Sequence, residues 1–314
     1  MYVYKMKLKN NPLINLFTEH NIIKETDLEL FFKGTRDIKE INVLIDKNSD
    51  TLILEKCIND LDEYYTFNQD YSKDEDTTLI DDVYIKTSPL EDDYVRYNLY
   101  KESLTNKSIL DFGCGKGGFL RLLKQNNVSN DLTGLELNQT NNNNINLGGI
   151  SCLFDLKNSV SKFDFIFLNH VFEHLDNPIK VLKDMTSMLS DKGKIIIEIP
   201  HGNDFLIKNS GLDSFKNFTF WSEHLCLYTE KFIRNLFSKL NINEYHISYR
   251  QRYNLNNHIN WFKEGKPGGN EIKIFEGKIL EDYNKHLIRN SQTDTLMIVI
   301  GNNCEKFSKN IFKN

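Results

Sequence analysis

Long apolar runs are missing from this sequence. No segment approaches the length of a membrane span, and Met1-Tyr2-Val3-Tyr4-Lys5-Met6 is not followed by the apolar stretch of a signal peptide. A soluble protein of the cytoplasm is the expectation. Cysteine is sparse and scattered: Cys57, Cys114, Cys152, Cys226 and Cys304 are odd in number and form no CxxC pair. Neither a disulfide framework nor a cysteine-based zinc module is indicated. An excess of positive charge is also lacking, since 39 basic residues stand against 44 acidic ones for a formal net charge of -5. Nucleic acid and anionic membrane are therefore not expected partners, because phosphate contact usually needs a basic stripe. The oligomeric state stays open.

What is present is enough chain, 314 residues, to bury a sizeable core. Residues 1–58 form a small accessory region in which Ile41 to Ile45 and Thr51 to Leu54 flank Asp46-Lys47-Asn48-Ser49-Asp50, the pattern of a β-hairpin. Residues 59–103 are acidic and tyrosine-rich and read as a linker or a flap over a ligand site. From 104 to 302 strands and helices alternate, which predicts an α/β domain with a doubly wound, mostly parallel, seven-stranded sheet. Strands are expected at 108–112, 132–136, 150–154, 163–168 and 194–199, with helices near 117–126 and 177–190, the latter closed by Gly193. Leu137 to Gly149, rich in asparagine, reads as a short or irregular helix by propensity. A helix near 229–240, a strand near 242–252, an irregular insertion at 253–292, a strand from Thr295 to Ile300 and a tail at 303–314 complete the expectation.

The most informative run is Ser108-Ile109-Leu110-Asp111-Phe112-Gly113-Cys114-Gly115-Lys116-Gly117-Gly118, a buried strand ending in a glycine turn that opens a helix. Gly113 and Gly115 permit positive φ and close approach of a ligand to the backbone, and the first helical amides would face that ligand. Glu136 ends the second strand, where a carboxylate can accept from both hydroxyls of a ribose. Nicotinamide, flavin and adenosylmethionine enzymes share this device. The G-x-G-x-G-G spacing departs from the dinucleotide G-x-G-x-x-G, which weakens a dehydrogenase reading.

The spelling of the turn, Asp155 after the third strand, and Asn169-His170-Val171-Phe172-Glu173-His174-Leu175 after the fourth together resemble the class I S-adenosylmethionine-dependent methyltransferases, over roughly Lys107 to Glu244. The resemblance implies S-adenosylmethionine as cofactor and S-adenosylhomocysteine as product. It places the turn of Gly113, Cys114 and Gly115 to Gly117 at the methionine moiety, Glu136 at the ribose, Asp155 and Leu156 at the adenine, and Asn169 and His170 beside the cofactor near the reaction centre, with Asp111 and Leu137 also among the cofactor-binding residues. Arg96, shortly before the first strand, is expected to pair with the methionine carboxylate, for which a planar guanidinium is suited.

Methyl transfer from a sulfonium is an in-line displacement, so the enzyme must align the acceptor and manage its proton. Histidine suits the second task. His170, His174, His201 and His224 fall on the ligand-facing edge; His174 sits in a run that reads as structural, while His201 ends a strand at that edge. The richest context is Trp221-Ser222-Glu223-His224-Leu225-Cys226-Leu227-Tyr228-Thr229, which is similar to the Glu-His-Leu segment of bacterial sugar methyltransferases. Carried over by position, His224 is the expected general base, with Glu223 or His201 assisting. The amino-terminal zinc site of the sugar C-methyltransferases is missing, which favours methylation of a sugar hydroxyl, on a nucleotide-activated or phosphorylated sugar of a surface glycan, over C- or N-methylation. A cofactor-binding scaffold without turnover is the alternative of a different class. Arg250 and Arg252, amid the aromatic and amide groups of 249–261, are candidates for a phosphate of the acceptor, and Lys266-Pro267-Gly268-Gly269 reads as a turn. Asp155, Glu198 and Asp204 are available carboxylates, but no spacing singles them out, so no catalytic metal is expected.

Overall fold

The computed structural model describes residues 8–59, 77–80, 83–86, 89–156, 161–268 and 273–312. Most of the tyrosine-rich flap, with Tyr64, Tyr65 and Tyr71, and Gly269 of the late turn lie outside the described residues. The chain begins with β1 (Leu8–Asn10), α1 (Pro12–Glu19), β2 (Leu28–Phe32), β3 (Val43–Asp46), β4 (Leu52–Leu54), β5 (Lys56–Ile58) and the pair β6 (Thr77–Ile80) and β7 (Val83–Lys86). There follow α2 (Glu91–Tyr100), β8 (Ile109–Phe112), α3 (Gly118–Gln125), β9 (Leu132–Leu135), α4 (Gln139–Leu147), β10 (Ser151–Leu153), β11 (Phe163–Asn169), α5 (Pro178–Ser187) and β12 (Leu189–Pro200). The last third holds α6 (Phe205–Lys208), α7 (Asp213–Thr219), β13 (Cys226–Leu227), α8 (Glu230–Lys239), β14 (Tyr245–Arg250), α9 (Leu255–Glu264), α10 (Lys278–Arg289), β15 (Thr295–Ile300) and α11 (Cys304–Ile311).

The main sheet has seven strands in the order β10-β9-β8-β11-β12-β15-β14. Its first five strands are parallel, and β15 pairs antiparallel with both β12 and β14. Such strands are covered on both faces, and the apolar runs Phe165 to Leu168 and Ile195 to Ile197 are accordingly buried throughout. Strand order reverses between β8 and β11, so the crevice at their carboxyl ends is the place where a ligand of an open α/β sheet binds. Gly113 leaves β8 and Asn169 ends β11, which puts the glycine turn at that crevice.

Four expectations change. The asparagine-rich segment is a regular helix, α4, because tertiary hydrogen bonds override weak propensity. Asn138 caps it, Asn142 donates to the Glu136 carbonyl (3.1 Å), and Asn146 exchanges two hydrogen bonds with the backbone of Cys152 in β10 (2.9 and 3.0 Å). Gly193 does not close α5, which ends at Ser187. It lies within β12, beside a register shift against Phe163, where a Cβ would come 2.8 Å from the Phe163 carbonyl oxygen. The insertion at 253–292 is not irregular but carries α9 and α10. Asn254 caps α9 by accepting from Asn256 and Asn257, and the buried Trp261 packs on Phe215 and Phe218. The tail contains α11, whose Cys304 and Ser308 are buried.

The hairpin β3–β4 is present, and β4 also pairs with β13 through Ile53↔Cys226 and Leu52↔Leu227. Residues 8–58 are therefore built into the rest: Leu13, Phe17, Ile41 and Ile53 share one core with Tyr228, Phe232 and Leu236.

Gly113 (φ +70°) and Gly115 (φ +55°) both adopt the left-handed region, but a Cβ on Gly113 would meet the Val171 side chain at 2.6 Å, whereas Gly115 faces open space. Gly115→Ala is expected to cost about 1–2 kcal/mol for backbone strain alone, and Gly113→Ala about 1–3 kcal/mol more for the clash. Urea denaturation of the two variants measures the difference; equal losses would show that the Val171 contact does not constrain the turn.

Candidate active site

The β8–α3 turn is held by a carboxylate on the next strand. Glu136 accepts from the backbone amide of Gly115 (2.8 Å) through one oxygen and from that of Asn138 (2.7 Å) through the other. Burial raises its pKa, and these backbone donors pull the other way. A ligand ribose would meet an acceptor already fixed in place. Below the turn, Asp111 is buried and accepts from Asn169 Nδ2 (3.2 Å), while burial pushes its pKa up to about 7.

A cavity of about 760 Å³ opens at this edge, and Gly113, Glu136, Leu137, Asp155, Leu156 and His170 all line it. Its size suits a nucleoside-bearing ligand. Phe154 and Leu137, also in its wall, expose 48% and 36% of their surface, apolar area suited to an adenine face. Asn169 Oδ1 is buried without a hydrogen-bond partner, an acceptor aligned with the need of a ligand ammonium. Gly115 leaves open space where any side chain would stand. These features fit adenosylmethionine. Asp111, Cys114, Gly115 and Asn169 lie in or under the turn without lining the cavity, and Cys114 Sγ stands 4.0 Å from Cys152 Sγ.

Arg96 is on α2 and is buried, but its partners are protein carboxylates: Nε donates to Glu198 Oε2 (3.0 Å), and Nη1 lies 3.6 Å from Asp93. Glu198, fully buried near the end of β12, also pairs with Arg250 Nη1 (3.3 Å) and His170 Nε2 (3.4 Å). Burial alone would raise the pKa of Glu198; His170 and Arg96 outweigh it and hold the carboxyl far below the usual range. His170 adopts φ +54°, and its amide donates to the Glu198 carbonyl (2.8 Å). Burial disfavours its charged ring, yet Glu173 and Glu198 together raise its pKa above the ordinary value.

The second half of the site is built by the segment before β13. Its Ser222 amide donates to Asp37 (3.1 Å), Asn11 Nδ2 donates to the Leu225 carbonyl (3.1 Å), and the Arg36 guanidinium covers the Trp221 ring at 4.1 Å. The accessory region thus positions His224. This histidine packs edge-on against His174, with ring centroids 4.9 Å apart, and against Trp221 at 5.6 Å. Burial, with His174 adding to it, lowers its pKa to about 3.

The carboxylate beside His224 is Glu173, three residues after His170. Ligand atoms of Glu173, His174 and His224 all lie within 4.8 Å of one another. Glu223, the other proton-handling candidate, is buried, and its backbone hydrogen-bonds His174. His201 is buried too, with Nδ1 bonded to the Thr293 carbonyl (3.0 Å) and a pKa lowered by burial to about 4, and it does not line the cavity. Arg252 contacts His170 Nε2 (3.0 Å) and pairs with Asp92 of α2, and Arg250 is committed to Glu198, so neither is held out for an acceptor phosphate. Glu173 and Asp92 escaped the sequence reading, although Glu173 stands in the quoted Phe172-Glu173-His174 run.

A glycine turn, a ribose-facing carboxylate and a cavity at the switch point define a nucleoside-binding α/β enzyme. The sequence profile of the methyltransferase-domain family matches residues 90–246, half of the chain, and the chain belongs to that family. S-adenosylmethionine is its methyl donor and S-adenosylhomocysteine its product. No curated protein matches the chain. Similar solved structures include the plantazolicin methyltransferase BamL, in complex with a triazolic desmethylplantazolicin analogue and S-adenosylhomocysteine (19% identity, 67% of this chain and 83% of that one, TM-score 0.42). A methyltransferase from Archaeoglobus fulgidus gives 17%, 66%, 92% and 0.45 in the same order. For the plantazolicin methyltransferase BpumL with S-adenosylhomocysteine the values are 22%, 68%, 86% and 0.42. Among the described residues no helix is long and apolar enough to cross a membrane.

The raised pKa of Asp111 fixes a pH dependence. The folded chain keeps this carboxyl protonated up to about pH 7, whereas the unfolded chain releases the proton near 3.8. Its contribution to stability is therefore full at low pH and lost as pH rises through 7. Asp111→Asn, which keeps an oxygen for Asn169, is expected to gain stability relative to the parent at pH 8 and not at pH 4. Urea midpoints at the two values check this; a pH-independent difference would show that Asp111 titrates normally.

Proposed function

We propose that this methyltransferase transfers the methyl group of S-adenosylmethionine to a hydroxyl of a carbohydrate, on a nucleotide-activated or phosphorylated sugar for a surface glycan. The observation that carries hydroxyl methylation is the group of imidazoles His170, His174 and His224 about the buried Glu173: His170 and His174 line the cofactor cavity, and His224 packs edge-on against His174. The likeness of the Glu223-His224-Leu225 segment to sugar methyltransferases supports a carbohydrate acceptor.

The cofactor supplies an electrophilic methyl on a sulfonium. Glu136 and the glycine turn hold its nucleoside end, and Asn169, beneath that turn, keeps an unpaired oxygen acceptor for its amino group. His224 takes the acceptor's proton: it is neutral at physiological pH, and the Glu173 carboxylate offsets the charge that develops on the ring during transfer. His170, held by Glu173 and Glu198, fixes the position of the wall rather than accepting that proton.

His224→Ala is expected to lower kcat on the order of 10²-fold or more, the usual weight of a positioned general base, with the affinity for S-adenosylhomocysteine kept. Release of S-adenosylhomocysteine, followed over a panel of sugar nucleotides and sugar phosphates, measures both the acceptor and the effect. Turnover by His224→Ala equal to the parent, or transfer only to amines or carbon acids, would overturn this reading.

A further inference from the structure

Glu173 presents an unusual demand. The side chain is fully buried, one oxygen lies 3.3 Å from His170 Nδ1 and 3.8 Å from His174 Nε2, and the other, Oε2, has no hydrogen-bond partner. A buried, unsatisfied carboxylate oxygen is costly and calls for a donor or a cation. Two imidazoles, His174 and His224, stand beside it with their ligand atoms inside the same 4.8 Å span. In a formed tetrahedral site with 2.0–2.1 Å bonds, donor atoms stand about 3.3 Å apart, so a modest side-chain adjustment separates this arrangement from a closed one.

We propose that Glu173, His174 and His224 bind one divalent transition-metal ion, with zinc as the best match to the donor set. Two nitrogens and one carboxylate are the His₂Glu combination that takes zinc and leaves a coordination position open. Supports for the ligands are already built: His174 is oriented by a hydrogen bond to the backbone of Glu223, and the loop of His224 is pinned through Ser222 to Asp37. His174 lines the cofactor cavity, so an open position there would receive an acceptor hydroxyl and favour its ionised form. Only this last role rests on the proposed function; metal binding itself does not. With the ion bound, His224 is a ligand in place of a base, and the bound hydroxyl would release its proton to water in the open cavity.

The test uses the full chain stripped with a chelator. Calorimetry with zinc and absorbance with cobalt(II) are expected to show one ion per chain, and His174→Ala and His224→Ala are each expected to weaken zinc at least tenfold, with circular dichroism confirming the fold. Because both changes remove partly exposed rings from different segments, a folding failure in one leaves the other decisive. No zinc taken up by the parent, or uptake unchanged in a folded variant, overturns the proposal. Stoichiometric zinc without sugar methylation would instead overturn only the acceptor; full sugar methylation by chelator-treated enzyme that binds no zinc would overturn only the metal.

Discussion

The buried carboxylate of Glu198 ties the two halves of the site together. From one position at the end of β12 it meets Arg96 of α2, Arg250 of β14 and His170 after β11. Those residues come from the helix before β8, the antiparallel sheet edge and the cavity-lining turn after β11 respectively. Such a cluster is a poor source of net stability, since desolvation offsets much of the attraction, but removing one partner leaves uncompensated buried charge at roughly 3–5 kcal/mol. What the cluster secures is geometry: α2 is tied to the end of β12 and the ring of His170 is fixed at the cavity wall. Asp92 and Arg252 repeat the link one step further out.

Around this centre, the wall facing the cofactor is assembled from distant parts of the chain. The accessory region is more than an appendage, because β4 pairs with β13 and Asp37, Asn11 and Arg36 fix residues 221–225. Removing it would unseat His224 before it touched the glycine turn. Residues from before β8 and after β12 thus meet around His224, while the glycine turn and Glu136 lie on the strands between.

The sequence was most legible where chemistry and backbone conformation coincide. Gly113, Gly115 and Glu136 stand together because a turn with positive φ needs glycine and its amides need an acceptor. The parallel strands were legible as buried apolar runs. Legibility failed where side chains act through tertiary contacts. Propensity undervalued α4, whose asparagines bond to Glu136 and Cys152, and nothing local in 253–292 announced the packing of Trp261 on Phe215. In the site, the pairing of Arg96 and Arg250 with Glu198 was not legible, because that carboxylate is remote from both in sequence. Likewise the nearness of Glu173 to His224, 51 positions on, is set by the fold and by nothing local in the sequence.

The central claim is that the turn at Gly113–Gly117, closed by Glu136, is the cofactor site of this methyltransferase. Calorimetric titration of S-adenosylhomocysteine into the full chain and into Glu136→Ala tests it most directly. One molecule per chain is expected for the parent, with affinity reduced about 10- to 100-fold in the variant, the weight of hydrogen bonds to a charged acceptor. Equal affinity in the two proteins, or no binding to the parent, would contradict the account.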